Sequence, residues 1–185
     1  MGIIAMIIIF ICLCTDNMVT ANMSGMNMEL KTKSVFSIKT ALVFSLFNAF
    51  FFTFGYVFAI FFFRNYYVPA HRWIAFAFLL LLGIKYMLET IEKSPSFREK
   101  EVDDGKKMWR VAALAGWQFG LVGYPLQLMG KSWFPQILFL LIITFLMTIL
   151  GFHLGSKNSK TILSKKVEFI AGLILIIMAI RLVIL

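Results

Sequence analysis

Six apolar runs govern what this chain can fold into; they span about 2–22, 40–63, 73–91, 110–130, 134–155 and 167–185. A helix rises 1.5 Å per residue, so roughly 20 residues cover the roughly 30 Å hydrocarbon layer of a bilayer. Inside lipid every backbone N–H and C=O must find its partner within the protein, which leaves helices and closed barrels. Barrel strands would alternate apolar and polar residues over about ten positions, whereas runs such as "LFLLIITFLMTILGF" (138–152) are continuous. The expected fold is therefore an all-α integral membrane protein with six transmembrane helices, its partner the lipid bilayer. Of the 185 residues 61% are hydrophobic and 15% charged, against about 45–50% and 25% in a soluble domain, so a soluble fold is excluded.

Charge then decides orientation. The net charge of +9 would suggest nucleic acid in a soluble protein, but here the basic residues lie between apolar runs, and no nucleic-acid partner is expected. The first, third and fifth connections carry thirteen Lys and Arg residues, among them Lys31, Lys39, Lys93, Arg98, Lys106, Lys107, Lys157 and Lys166; the opposite side carries three, Arg64, Arg72 and Lys131. Cytoplasmic loops concentrate Lys and Arg, so both termini are expected outside a multi-pass cell-membrane protein. The long third connection, 92–109 within "EKSPSFREKEVDDGKKMWR", is expected in the cytoplasm. Residues 1–11 carry no Lys or Arg, and Asp16 stands where a small-residue cleavage site would be needed. The first run is thus read as a retained helix. Cys12 and Cys14 lie about 200° apart on a helix and are not expected to bridge each other.

The two halves of the sequence are similar. "LLLLGIKYML" (79–88) aligns with "LIIMAIRLVI" (175–184) at an offset of 96, matching Lys85 to Arg181, and the same offset places Gly55-Tyr56 on Gly151-Phe152. Three helices per copy is an odd number, so the second copy must run inverted. The expected organisation is one transmembrane domain, 1–185, with repeat 1 over 1–91 and repeat 2 over 110–185. Transporters built this way place their substrate near the midplane at the repeat interface. Lys85 and Arg181 are expected to snorkel toward the outer interface, and Trp73, Trp109 and Trp133 to form an aromatic belt.

Asp16, between Thr15 and Asn17 in "FICLCTDNMVTANMSGMNM" (10–28), is the chain's most informative residue. A carboxylate at membrane depth costs roughly 3 kcal/mol on insertion scales and is by default a functional group. The alternative is that it only hydrogen-bonds across a helix interface.

The stretches "HRWIAFAFLLLLGIKYMLE" (71–89) and "GFHLGSKNSKTILSKKVEFIAGLILIIMAIRLVIL" (151–185), with Gly55-Tyr56, resemble the third, fifth, sixth and second helices of the MntP-type manganese efflux pumps, and the similarity extends over nearly the whole chain. The resemblance implies a six-helix exporter of Mn²⁺ or a related divalent cation; no resident cofactor is expected, and with no His/Cys/Glu cluster at metal spacing, no phosphate loop and no nucleophile with a plausible base in the sequence, no enzymatic activity is expected either. "CTDNMVTA" retains the family's first-helix aspartate as Asp16. The family's fourth-helix aspartate position is Gln118, in "AGWQFGLVG", and its second-helix Glu or Gln is Asn48.

A hard divalent cation takes about six oxygen ligands. The candidate metal-binding set is Asp16, Thr15, Asn17, Asn48, Gln118 and Thr144. One carboxylate against a 2+ ion favours weak binding, which suits an exporter that must release its cargo. Three alternatives stand beside this reading: a membrane scaffold or sensor that does not transport, an exporter of another small solute, and a Cu(I) carrier using Cys12, Cys14, Met18, Met23, Met26 and Met28. Against copper, the sulfurs fall on several helix faces, and Met is a common apolar filler. His153 is read as interfacial.

Overall fold

A computed structural model describes residues 3–26, 33–63, 68–91, 105–128, 132–157 and 161–184. They form six α-helices: α1 (Ile3–Met26), α2 (Lys33–Phe63), α3 (Val68–Ile91), α4 (Gly105–Leu128), α5 (Trp133–Lys157) and α6 (Thr161–Ile184). Most of the third connection, with Ser96, lies outside the described residues.

Several helices start before the apolar runs that mark them, α2 at Lys33, α3 at Val68 and α6 at Thr161. The connection expected to run to 109 gives way to helix at Gly105. The reason is physical: hydropathy marks only the part of a helix at lipid depth, while hydrogen bonding carries helix-favouring residues such as Lys106, Lys107 and Met108 on into the interface.

Among the described residues four stretches are long and apolar enough to cross a membrane: Ile4–Ser24, Val35–Phe61, Trp73–Thr90 and Trp133–Gly155, in α1, α2, α3 and α5. The first is set apart by burial, with 72% of its most apolar window inside the protein against 28–33% in the other three. α1 is a central helix. It packs along α5, then α6, and touches α4; α2 packs along α4 and α5, and α3 along α6 and α4. α4 is also interior, with Val111, Ala112, Ala115, Gln118, Phe119 and Val122 buried. This explains its low hydropathy: a helix lined by other helices need not be apolar on every side. The outer helices turn Phe50, Phe54, Phe61, Leu81, Leu146 and Ile177 outward, as lipid contact requires.

The core gathers Ile9, Phe10 and Leu13 of α1 with Phe52, Tyr86, Phe119, Leu140 and Leu175 from the other five helices. Phe10 meets Phe52 edge to face at 5.7 Å. Lipid tails are as apolar as these side chains, so helix association rests on close packing, which small residues permit. Gly55 of α2 lies so close to the carbonyl of Gly120 that a Cβ would overlap it, and Gly151 of α5 lies equally close to the carbonyl of Met18. Trp73, Trp109 and Trp133, expected to form an aromatic belt, are exposed, as is His153.

Candidate functional site

α1 changes character halfway along. Its first half buries Ala5, Met6, Ile9, Phe10 and Leu13; its second half buries Thr15, Asp16, Asn17, Thr20, Asn22 and Ser24. In water such a polar run would weaken a helix, because these side chains compete for backbone groups. Here the competition stays inside the helix. Thr15 donates to the Cys12 carbonyl (2.6 Å), Thr20 to that of Asp16 (2.9 Å) and Ser24 to that of Thr20 (2.9 Å). The hydroxyl protons are thereby used, and their oxygens keep lone pairs free to accept.

Asp16 is the fourteenth of the 24 residues of α1, and Gln118 is the fourteenth of the 24 residues of α4. Both side chains are buried, at 4% and 1% exposure, and Gln118 Nε2 donates to Asp16 Oδ2. A hydrogen bond to an ionised carboxylate is worth about 1.5–3 kcal/mol, comparable to the insertion cost. The pair therefore keeps a mid-helix carboxylate tolerable.

Asn48 and Thr144 form a second pair. Asn48 is the sixteenth of 31 residues in α2 and Thr144 the twelfth of 25 in α5, both fully buried. Asn48 Nδ2 lies 3.5 Å from Thr144 Oγ1, and Cys14 Sγ lies 3.3 Å from the same hydroxyl. The two pairs reach α1 at different residues, Gln118 at Asp16 and Thr144 at Cys14, which face roughly opposite directions on a helix. Asn17 is fully buried with neither polar side-chain atom hydrogen-bonded, and Asn48 Oδ1 is likewise unpartnered. Buried amides without partners are uncommon, and these leave oxygen acceptors free close to Asp16 in sequence and at the same depth on α2.

Lys85 corrects the sequence reading. It was expected at the outer interface, but it lies six residues before the end of α3, toward the basic third connection. Its ammonium donates to Gln118 Oε1 at 3.3 Å and lies 3.4 Å from Glu89 Oε1. The physical reason is reach: a lysine stem can point inward along its helix as well as outward, and a buried amide oxygen is an available acceptor. The site thus contains a lysine, and Tyr86, whose hydroxyl donates to the Leu13 carbonyl at 3.1 Å, also fixes α3 against α1. The sequence signal was a Lys inside an apolar run with Glu four residues on. Arg181, its counterpart in α6, is exposed.

Cys12 and Cys14 are buried and free, the Cys14 thiol is engaged on Thr144, and among the described residues no three His, Cys, Asp or Glu side chains group to hold a metal. Met28 lies outside the described residues. A cation here would be held by one carboxylate with amide and hydroxyl oxygens, a set suited to a hard ion held loosely.

Comparison with known proteins places residues 29–183 on a family described as "Putative manganese efflux pump". α1, with Asp16, precedes the matched segment. A curated protein of Wolinella succinogenes, "Putative manganese efflux pump MntP 2", is 29% identical over 111 residues, covering 60% of this chain and 60% of that protein. No solved structure matches.

Proposed function

Because the chain belongs to the manganese efflux pump family, we propose that it exports Mn²⁺, or a related divalent cation, from the cytoplasm across the cell membrane through a site centred on Asp16. The carrying observation is a buried carboxylate halfway along a central helix, facing an amide halfway along another. Asp16 supplies the charge. Gln118, Asn48, Asn17, Thr15 and Thr144 supply neutral oxygens as the dehydrated ion passes. The positive-inside count supports an orientation with both termini outside and the third connection in the cytoplasm.

The proposed frame is a pair of inverted three-helix repeats. Exchanging α1, α2 and α3 for α4, α5 and α6 leaves the principal helix pairings unchanged, since α1·α5 becomes α4·α2 and α1·α6 becomes α4·α3. Asn48 and Thr144 differ by 96 positions and Asp16 and Gln118 by 102. These are the offsets that also carry the Gly55–Gly120 approach onto Gly151–Met18. Each pair would then lie on the pseudo-two-fold axis, the place where substrate sites of such transporters form.

The test is Mn²⁺ content and Mn²⁺ tolerance in a bacterial strain lacking its own exporter. Wild type is expected to lower cellular Mn²⁺ and protect, Asp16→Asn to lose both effects, and Gln118→Asp to hold Mn²⁺ more tightly by adding a second carboxylate. Protection by Asp16→Asn equal to wild type would make Asp16 a helix-packing residue and remove the site.

A further inference from the structure

Gln118 is held from both ends. Its oxygen accepts from the Lys85 ammonium at 3.3 Å while its nitrogen donates to the Asp16 carboxylate. An amide has one acceptor end and one donor end, so the two charges dictate its orientation. The opposite orientation would set NH₂ against an ammonium and oxygen against a carboxylate. While Lys85 holds Oε1, Gln118 has no oxygen turned toward an ion on Asp16. An ion there would also meet the field of the ammonium just beyond the amide.

Lys85 has a second place to go. Glu89, one turn further along α3, has Oε1 3.4 Å from the same ammonium, and the two side chains are 37% and 34% exposed against 4% for Asp16. The lysine is therefore the movable member of the chain Glu89–Lys85–Gln118–Asp16, and Asp16 the fixed one.

We propose that Lys85 is a tethered competitor of the transported cation, a selectivity and release element rather than a ligand. In the unloaded protein the ammonium balances Asp16 through the Gln118 amide. When a divalent ion binds Asp16, Lys85 withdraws onto Glu89, which neutralises it, and Gln118 turns its oxygen onto the ion. Return of the ammonium to Gln118 turns that oxygen away again and expels the cargo. The inference rests on the reading of Asp16 as the cargo site.

Mn²⁺ binding to the purified full-length protein, followed by the electron paramagnetic resonance signal of free Mn²⁺, tests it with Lys85→Gln, Lys85→Arg, Glu89→Gln and Asp16→Asn. Lys85→Gln is expected to bind Mn²⁺ at least about tenfold more tightly, because a unit charge a few ångströms away is only partly screened inside a protein. Lys85→Arg is expected to bind like wild type. Glu89→Gln, which removes the carboxylate onto which the ammonium withdraws, is expected to bind more weakly. A merely structural lysine would give weaker binding in Lys85→Gln, never tighter. Lys85→Met carries the same expectation where the glutamine variant is unstable. Unchanged or weaker binding in both neutral variants, with binding lost in Asp16→Asn, overturns the role of Lys85 alone. Full binding by Asp16→Asn removes the cargo site and this inference with it.

Discussion

Thr144 has one hydroxyl and two neighbours on it, Asn48 Nδ2 at 3.5 Å and Cys14 Sγ at 3.3 Å. Replacing it by Val keeps the shape, removes the acceptor and leaves Asn48, whose Oδ1 is already unpartnered, with neither end satisfied. Thr144→Val is expected to destabilise the detergent-solubilised protein by about 1 kcal/mol, the usual scale for interhelical hydrogen bonds in membranes. Asn48→Leu in the Thr144→Val background should cost less than it does alone. Additive thermal-shift effects would mean that the two residues do not couple. At this scale the sequence was legible where a residue type was improbable in its place: Asp16 among Ile and Phe stood out by its insertion cost. Lys85 did not, because a lysine near the end of a membrane helix has an ordinary explanation in the interface. Only the fold turns α4 toward it and supplies the amide oxygen that changes its meaning.

Among the helices, closeness of approach separates the interior pairs from the lipid-facing surfaces. Gly55 against the Gly120 carbonyl and Gly151 against the Met18 carbonyl leave no room for a methyl group. The obstructing atoms are backbone, so accommodation requires whole helices to separate. Gly55→Ala and Gly151→Ala are each expected to destabilise by about 1–3 kcal/mol, the range for overpacking, with like effects at the two positions. Gly55→Ala with full stability and Gly151→Ala without it would show that the α2–α4 and α1–α5 contacts are not equivalent. The apolar runs located all six helices, since segment length and continuity follow from bilayer thickness alone. Helix starts were not legible to within several residues, because residues 33–39 and 161–166 mix Lys, Ser and Thr with apolar residues and hydropathy is silent on hydrogen bonding in the interface.

For the molecule as a whole, thirteen basic residues on one side against three on the other yield a definite expectation. A cysteine placed at Ser96, with the native Cys12 and Cys14 buried in the bundle, should resist a membrane-impermeant maleimide applied to intact cells and react after permeabilisation. Ready labelling of intact cells would invert the orientation and make the proposed exporter an importer by topology. Which helices surround which could not be read from the runs themselves. Five of them, α4 excepted, are similarly apolar along much of their length, and the centrality of α1 follows from its polar half, which lipid cannot receive and α4 and α5 can.

That centrality also imposes an order of events on synthesis. Of the six helices α1 leaves the ribosome first, yet the residue that donates to its carboxylate lies 102 positions later, on α4. At about 5–20 residues per second, Asp16 waits roughly 5–20 seconds for Gln118 to emerge. Throughout that interval the central helix must remain at the translocon, in the interface, or in the bilayer with its carboxylate unmatched by Gln118. The helix most deeply enclosed in the finished protein is thus made before the helices that enclose it, α4, α5 and α6.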